Sequence, residues 1–457
     1  MTTITFDRIL PVLADFLQAE WRDVEPYLPL LVNRDLNGRV RIVLDEKHEQ
    51  RQGGEDTPLQ RLAVAIHQRL TPHTTTPERF WLFEGDCDAL IQSSQTFPLQ
   101  DSAGNIIPDI FVVDRLVSEV TWSSIRPEST DGGIPRFVFY AVKGGVGRST
   151  AVAACAAALA QAGQQVLVLD LDLESPGLSS SLLPPDRQPA FGIADWLVED
   201  LVNNGDAVSD DLSALCPLSS ASRGEIRVVP AHGREPGEYL SKLGRIRMPK
   251  FVEGSGRQIW SERLERLIRD LEQRHNPDIV LIDSRAGIDE MASACVTDLG
   301  AGRIYLFALD SRQTWSGYRL LFKHWQQYGG VRQIRASLKI VGAMVPTWGD
   351  SARKKAIIAL REHAYNEFLE SVYDEAPAPS EEPDSASYDS LNSFSFDLKD
   401  EDAPHNPYCI SWNQDFAAIQ SHYNRLNDMG SSTVNPINLV YGELIADLNT
   451  FLSRPEP

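Results

Sequence analysis

The chain has 457 residues, with 64 acidic and 43 basic side chains and a formal net charge of −21. This charge opposes nonspecific binding to nucleic acid, and the length favours two or three domains with ample core. No apolar run is long enough for a membrane helix, no secretory leader is recognisable, and the five cysteines form no CxxC pair. We therefore expect a cytoplasmic protein without disulfides, zinc or an iron–sulfur cluster.

Residues 1–130 carry the pattern of a small α+β module. The predicted elements, in chain order, are a helix at 6–20, a strand at 39–45, a helix at 59–70, and strands at 79–84 and 110–116. His67 and His73 are too isolated for a metal site and are better interpreted as surface histidines. We recognise no catalytic motif here, so the expected role is binding a partner or packing onto the next domain. Asp131-Gly132-Gly133 predicts a turn in the join near 128–135.

The second predicted domain, residues 134–457, begins with a strand, a glycine-rich loop and a helix. The apolar run 137–142 predicts the strand, and the alanine-rich run 151–161 predicts the helix. The loop between them consists of Lys143, Gly144, Gly145, Val146, Gly147, Arg148, Ser149 and Thr150. Its glycines let backbone N–H groups approach phosphate oxygens, and the helix adds the positive end of its dipole. Ser149 is placed to ligate Mg²⁺ and Thr150 to donate to an inner phosphate, although such turns also occur as plain connections.

Two later apolar strands end in carboxylates. The first closes with Asp170 and Asp172, which the alternation of a strand points to the same side, where both can face a metal and phosphates. The alternative is an Asp that merely ends a strand as a turn former. The second, 278–283, closes with Asp283 and resembles a Walker B strand, whose acid is expected to hold Mg²⁺ through water. Arg285 is expected either to sense a γ-phosphate or to form a salt bridge at the strand end, for example with Asp283.

Apolar runs alternate with helices through this domain. Besides the strand at 166–172, runs of strand character lie at 226–231, 303–310, 338–346 and 408–412. The alternation predicts an α/β fold: a mostly parallel, doubly wound sheet with helices on both faces and a ligand at the carboxyl ends of the strands. The residues that would recognise a nucleotide base are poorly specified. No Asn follows the strand that ends at Pro346-Thr347, so the candidates are Asn413 to Asp415, which follow the last strand.

Charge is unevenly distributed in the last third of the chain. Residues 312–361 contain ten basic residues and one acid, Asp350, which makes this stretch a candidate site for nucleic acid or an acidic partner. Its aromatic residues are more typical of packing than of base stacking. The next stretch, about 374–403, is rich in acids, Pro and Ser and predicts a disordered insertion. We expect the insertion to fold over the basic stretch and compete with its partner, with Phe394-Ser395-Phe396 as a weak docking motif.

The loop resembles that of the deviant Walker A ATPases of the ParA and MinD type. Their motif, KGGxGK followed by Ser or Thr, matches residues 143–149 at each fixed position except 148, where Arg replaces the phosphate-binding Lys. The resemblance implies ATP and Mg²⁺ as ligands, with Asp170 supporting Mg²⁺ and Asp172 positioning the attacking water. It also implies a homodimer that forms on ATP binding, with Lys143 reaching the nucleotide of the second copy. Arg148 can still neutralise phosphates, but its bulk and planar geometry alter the conditions for hydrolysis.

Several functions remain open at this stage. The leading hypothesis is a dimerising, slowly hydrolysing ATP switch that regulates a partner protein or effector. A nucleotide-binding scaffold with little turnover is the alternative that Arg148 suggests. DNA partition follows from family analogy alone. A sensor role in a bacterial antiphage system fits the N-terminal module and the variant loop, which do not demand it. A tyrosine kinase is weaker because the C-terminus lacks a tyrosine cluster. Membrane attachment is disfavoured because 439–452 contains no Lys or Arg.

Overall fold

The computed structural model divides the chain into two compact units, Met1–Glu119 and Val120–Pro457. This division falls before the predicted join. Each unit has its own sheet and its own apolar core. The residues that the structure describes are 4–52, 57–93, 96–115, 122–123, 125–126, 133–252, 256–347, 349–374, 393–413, 416 and 436–453.

The first unit is an α+β module with a mixed sheet. Its strands are β1 (Leu30–Arg34), β2 (Val40–Asp45), β3 (Trp81–Glu84), β4 (Thr96–Gln100) and β5 (Ile106–Asp114), in the order β3-β2-β1-β5-β4. Its helices are α1 (Ile9–Ala19), α2 (Trp21–Val24), α3 (Pro58–Leu70) and α4 (Cys87–Ser93). Helix α3 buries Leu59, Leu62, Ala63, Ile66 and Leu70, the spacing of a single helical face. The sequence patterns did not predict β1, β4 or α4.

The second unit is built around an eight-stranded sheet. Its strands are β6 (Arg136–Ala141), β7 (Val166–Leu171), β8 (Ala214–Leu215), β9 (Ile226–Val229), β12 (Ile279–Ala286), β13 (Arg303–Ala308), β14 (Leu338–Val345) and β15 (Tyr408–Ser411), and a separate hairpin consists of β10 (Lys250–Val252) and β11 (Gly256–Gln258). The order is β15-β14-β13-β6-β12-β7-β9-β8. Each neighbouring pair is parallel except β8 with β9, which is antiparallel.

Helices cover both faces of this sheet. They are α5 (Arg148–Ala162), α6 (Leu178–Leu182), α7 (Ile193–Asp200), α8 (Asp206–Ser209), α9 (Tyr239–Leu243), α10 (Trp260–His275), α11 (Glu290–Ser293), α12 (Arg312–Gln327), α13 (Val331–Ile334), α14 (Asp350–Ser371) and α15 (Pro436–Leu452). Alternate residues of a strand serve opposite cores: Val138 and Tyr140 pack on one face, and Phe137 and Phe139 on the other. None of the helices in the described part of the chain combines the length and apolar character that a membrane span requires.

The predicted fold class is confirmed: the sheet is mostly parallel and doubly wound. Of the predicted strands in this unit, 166–172, 226–231, 303–310, 338–346 and 408–412 each correspond to an observed strand, with ends that differ by a few residues. The antiparallel edge strand β8 and the hairpin were not predicted. Strand β8 has only two residues, too few to display a period of alternation.

The predicted disordered insertion is only partly described. Residues 375–392 lie outside the described part of the chain, whereas 393–403 pack against the second unit. The rings of Phe394 and Phe396 lie 6.0 and 5.6 Å from that of Tyr373. These two partly buried rings contribute apolar contacts that composition alone did not indicate, and the disordered insertion and the docking motif remain predictions.

Candidate functional site

The glycine-rich loop lies at the carboxyl end of the central strand β6, which is buried along its whole length. Helix α5 begins directly after the loop. Gly145 and Gly147 adopt φ angles of +75° and +83°, the left-handed region that other residues enter only with strain. This conformation turns the chain from the strand into the helix, and glycine-rich turns of this kind can present successive backbone N–H groups to an anion. All eight loop residues line this cavity, which has a volume of about 650 Å³.

Arg148 is almost fully buried and is bound to carboxylates. Its Nε donates to Asp283 Oδ1 at 2.6 Å, and its Nη2 donates to Asp172 Oδ2 at 3.1 Å. Burial alone would lower the pKa of Arg148, but the attraction of Asp283 and Asp172 outweighs burial and raises it. The side chain that replaces the expected Lys therefore bridges the ends of two strands. Sequence reasoning assigned it to phosphates and did not predict these ion pairs.

Three carboxylates meet here because β7 and β12 are neighbours. Asp170 and Asp283 are register partners on these parallel strands, and Asp172 follows β7 directly. Asp170 Oδ2 accepts hydrogen bonds from the N–H and Oγ of Ser179, at 3.0 and 2.9 Å. Burial and the charge of Asp283 nevertheless raise the pKa of Asp170 to about 7. Burial also raises the pKa of Asp172, although Arg148 opposes that shift.

Each carboxylate of this cluster keeps one unsatisfied oxygen. Asp170 Oδ1, Asp172 Oδ1 and Asp283 Oδ2 are buried and have no hydrogen-bond partner among the described residues. Buried polar atoms without partners are uncommon in folded proteins and are expensive to maintain. Arg148 pairs with two of the three carboxylates, Asp172 and Asp283, so the cluster contains more acidic groups than basic ones.

The predicted metal residues fit Mg²⁺ only together with other oxygen ligands. Within the described residues, no three His, Cys, Asp or Glu side chains converge into a group that could hold a metal ion. Mg²⁺ in proteins commonly takes one or two carboxylates and completes its shell with water and substrate phosphates. Asp283 offers a free buried oxygen, and Ser149 lines the cavity at the start of α5. These donors fit a metal that arrives with a phosphate ligand.

Lys143 is placed differently from Arg148. It is exposed at the rim of the cavity, and neither an ion pair nor a hydrogen bond of its side chain is found in the described part of the chain. A free ammonium group at this position is compatible with contact to a second copy. The assignment of Lys143 to an intermolecular contact remains a prediction.

Arg285 also lines the cavity, but it does not pair with Asp283. Its Nη1 forms ion pairs with Glu174 Oε1 at 2.7 Å and with Asp289. The pairing with Asp283 is therefore not formed, and the salt bridge at the strand end is made with Glu174 and Asp289. Arg285, near the end of β12, thus connects that strand to the segment after β7.

A further part of the cavity lining is apolar and aromatic. It includes Met344, Ile410, Trp412, Asn413, Phe416 and Tyr441. Asn413 was a predicted candidate, whereas Gln414 and Asp415 lie outside the described residues. Met344 has φ of +53° where the register between β14 and β15 shifts. Sequence reasoning missed Met344 and Tyr441, and no local pattern identifies them, since a β-bulge and a C-terminal helix bring them to the cavity.

Some basic side chains of the stretch 312–361 are bound to groups within the second unit. Arg319 pairs with Glu367, Arg335 pairs with Asp374 at 2.6 Å, and the Lys339 ammonium donates to the Ala403 carbonyl at 2.9 Å. The aromatic residues Trp315, Tyr318, Phe322 and Trp325 are buried in the core, as the packing interpretation predicted. Arg312, Arg319, Lys323, Arg332, Lys354 and Lys355 are exposed, and a role of this stretch in binding nucleic acid or an acidic partner stays a prediction.

Comparisons with known proteins agree with this architecture. The family model CbiA, the CobQ/CobB/MinD/ParA nucleotide binding domain, matches residues 137–362. No protein of curated function matches the chain.

Three solved structures show the range of similarity. A ParA family ATPase from Chlorobium tepidum TLS is 16% identical, with 70% of this chain and 99% of that chain covered and a TM-score of 0.41. Cobyrinic acid a,c-diamide synthase from Mycobacterium smegmatis, with bound ATP analog and magnesium, is 20% identical, with 50% of this chain and 82% of that chain covered and a TM-score of 0.35. The pNOB8 ParA bound to nonspecific DNA is 17% identical, with 69% of this chain and 96% of that chain covered and a TM-score of 0.37. Residues 137–362 are therefore similar to the CobQ/CobB/MinD/ParA nucleotide-binding domain, within a second unit that has a ParA-like P-loop fold.

Proposed function

We propose that the chain is an ATP-binding, slowly hydrolysing molecular switch that dimerises when it is loaded and regulates a partner protein or effector. The observation that carries the proposal is the buried cluster beside the phosphate loop. Arg148 pairs with Asp172 and Asp283 there, Asp170 lies beside Asp283, and each carboxylate keeps an unsatisfied oxygen. A cluster with more carboxylates than cations, next to a loop rich in N–H donors, suits a ligand that combines phosphates with a divalent cation.

In this proposal, the side chains of the cluster divide the work between binding and orientation. The N–H groups of Gly144 to Gly147 and the start of α5 bind phosphate oxygens. Ser149 and Asp283 would hold Mg²⁺, with Asp170 supporting it from behind, and the ion supplies neutralisation of charge on the transferred phosphoryl group. Asp172 orients the attacking water with its free oxygen. Phosphoryl transfer depends mainly on such positioning and electrostatics, so these groups supply the kinds of interaction that the reaction requires.

Arg148 explains why we expect slow turnover. In order to reach a phosphate, its guanidinium has to release Asp283 or Asp172, and separating a buried ion pair is costly. The ligand's phosphates and cation must replace both halves of that pair. We therefore expect Arg148 to contribute to phosphate binding at a cost in the rate of hydrolysis.

The apolar part of the cavity is proposed to receive the nucleoside. Trp412 is 42% exposed although it is a large aromatic residue, and Phe416 and Tyr441 are packed edge to face at 5.3 Å. Aromatic and apolar walls with few polar groups suit a planar base. The preference for ATP over GTP is taken from the resemblance and not from these residues.

Dimerisation is tested by measuring the solution mass by light scattering in Mg-ATP, in Mg-ADP and without nucleotide. Wild type should double its mass only in Mg-ATP, and Lys143→Ala should remain monomeric. Lys354→Ala, which removes an exposed lysine of α14, is the matched control and should behave like wild type. Parallel calorimetry establishes whether each variant still binds nucleotide. A mass that ignores nucleotide in a protein that binds it would overturn the switch and leave a binding scaffold.

A scaffold with little turnover is the second candidate, and the engagement of Arg148 by two carboxylates favours it. Arg148→Lys separates the two functions, because Lys cannot bridge Asp172 and Asp283 with the same fork. A marked rise in turnover would support the scaffold, since Arg148 would then be an obstacle to hydrolysis. A fall would support the switch, with Arg148 adapted to the reaction. DNA partition and a sensor role in an antiphage system remain analogies that the buried ion cluster neither favours nor opposes.

A further inference from the structure

The segment directly after Asp172 is held from several directions. Its backbone forms a turn in which the N–H of Ser175 donates to the Asp172 carbonyl at 3.1 Å. Leu173 is buried in the core of the second unit. Asp172 itself has one oxygen on Arg148 and one without a partner, so its own contacts do not fully fix its orientation. The position of this carboxylate therefore depends on what holds residues 173–175.

Tyr239 provides one of these contacts from α9. Its hydroxyl donates to the Leu173 carbonyl at 2.6 Å, and its ring lies edge-on to His232 with a centroid distance of 5.1 Å. Burial, followed by the nearby acids Asp170 and Asp195, raises the pKa of Tyr239 above its usual value. The hydroxyl therefore stays protonated and remains a donor at neutral pH.

Two arginines hold the next residue, Glu174. The Nη2 of Arg247 and the Nη1 of Arg285 each lie 2.7 Å from Glu174 Oε1. Arg247 belongs to the same stretch as Tyr239, and Arg285 lies near the end of β12. Arg247 also lies 3.8 Å from Glu290, and Arg285 pairs with Asp289. Three side chains from two different parts of the chain thus fix two consecutive residues.

We propose that Tyr239 is a positioning residue for Asp172, and that Arg247 and Arg285 complete a clamp on the same segment through Glu174. The proposal rests on the proposed function, since it assigns Asp172 the task of orienting water. A displacement of about 1 Å in such a group can lower a rate by about a hundredfold. The clamp also makes the stretch from 239 to 247 the part of the chain through which a bound partner could alter the position of Asp172.

The first test uses hydrogen exchange in the nucleotide-free protein, so it does not depend on activity. Tyr239→Phe removes only the hydroxyl that donates to Leu173. The amide of Ser175, which reports the turn after Asp172, should then exchange about tenfold faster. Tyr305→Phe is the matched control. It removes a hydroxyl that donates to Asp447 at 2.8 Å on β13, which is separated from β7 by β6 and β12. The control should leave the Ser175 amide unchanged.

The second test separates positioning from simple stabilisation. Tyr239→Phe should lower kcat for ATP hydrolysis about tenfold or more and leave the affinity for nucleotide unchanged, whereas Tyr305→Phe should change neither. Glu174→Gln weakens both ion pairs of the clamp and should likewise lower kcat without changing the affinity for nucleotide. It replaces Tyr239→Phe in the test if that variant does not fold. Unchanged exchange at Ser175 in both variants would overturn the clamp. Faster exchange without a fall in kcat would overturn the positioning role. A wild-type chain that binds no nucleotide would instead overturn the proposed function, and the exchange result would stand apart from it.

Discussion

Two of the buried ion clusters in the second unit have opposite compositions. In the Arg148 cluster, one guanidinium pairs with two carboxylates beside a third, and three carboxylate oxygens have no partner in the described part of the chain. In the Asp200 cluster, one carboxylate faces Lys250, Arg263 and Arg266 at 2.7, 2.6 and 2.8 Å. Both oxygens of Asp200 accept hydrogen bonds, and Arg263 also donates to the carbonyls of Met248 and Leu197.

The difference separates a structural cluster from a candidate site. The Asp200 cluster joins α7, the hairpin and α10, and its carboxylate is fully satisfied. Burial would raise the pKa of Asp200, but the bonds from Arg263, Arg266 and Lys250 outweigh burial and lower it to about 2. In the Arg148 cluster, burial and a neighbouring carboxylate raise the pKa of Asp170 to about 7. Buried charged groups whose hydrogen-bonding atoms all have partners indicate a role in stability. Buried groups with unpaired atoms and raised pKa values indicate a ligand site.

The largest expected effect is on stability in the Asp200 cluster. Asp200→Asn leaves Arg263 and Lys250 buried without a compensating charge, and breaking a buried ion pair in this way costs about 3 kcal/mol or more. Unfolding in urea, followed by tryptophan fluorescence, measures the loss. Asp210→Asn is the matched control, because Asp210 pairs with Arg274 at 2.6 Å on the surface and should contribute little. Equal stability of the two variants would mean that the Asp200 cluster is not structural.

The contribution of Asp200 should also depend on pH. Its pKa is about 2 in the folded chain and 3.8 in the unfolded reference, so its stabilising effect is present above pH 3.8 and is lost as the pH falls toward 2. This shift corresponds to about 2 kcal/mol. The difference in unfolding free energy between wild type and Asp200→Asn should therefore be constant from pH 7 to pH 5 and shrink at pH 3. A difference that grows on acidification would contradict the depressed pKa.

The sequence predicted the Arg148 cluster better than the Asp200 cluster, for a physical reason. The phosphate loop, Asp170, Asp172 and Asp283 each belong to a short strand-and-loop pattern, and the carboxyl ends of parallel strands necessarily meet at one edge. What the pattern did not predict is the partner of Arg148, because a guanidinium can reach either phosphates or carboxylates from the start of α5. Asp200 and Arg263 form a hydrogen bond although they lie 63 residues apart in the sequence. No short-range periodicity of the sequence predicts such a pairing.

The same reasoning applies to the apolar part of the cavity. A buried strand was predicted at 338–346, but the register shift that gives Met344 its positive φ depends on pairing with β15. Helix α15 packs on α5 and β15, which brings Tyr441 to the cavity from near the end of the chain. These contacts arise from tertiary packing, so they became visible only in the structure.

A smaller effect on stability is expected when the arginine of the Arg148 cluster is replaced and Mg²⁺ is added. Arg148→Met leaves Asp172 and Asp283 without their cation, beside a third carboxylate, so the variant should bind free Mg²⁺ that wild type does not. Binding at a concentration about ten times Kd stabilises the folded state by about 1.4 kcal/mol, which raises Tm by a few degrees. Thermal unfolding with and without millimolar Mg²⁺, in the absence of nucleotide, measures the shift. Arg274→Met, which removes the exposed arginine that pairs with Asp210, should show no Mg²⁺ dependence. A variant of Arg148 that ignores Mg²⁺ would contradict the metal assignment of Asp283.

The smallest effect on stability is expected for Asp283→Asn, the counterpart of Asp200→Asn in the other cluster. The amide oxygen can still accept from Arg148, and Arg148 keeps Asp172, while the repulsion that raises the pKa of Asp170 is removed. We therefore expect a change in unfolding free energy below about 1 kcal/mol, because the lost ion pair and the relieved repulsion offset each other. Affinity for nucleotide in the presence of Mg²⁺ should nevertheless fall more than tenfold, and calorimetry with Mg²⁺ and with EDTA measures this change. If Asp283→Asn instead costs as much stability as Asp200→Asn and leaves nucleotide affinity unchanged, both clusters are structural, and the contrast between them does not mark a site.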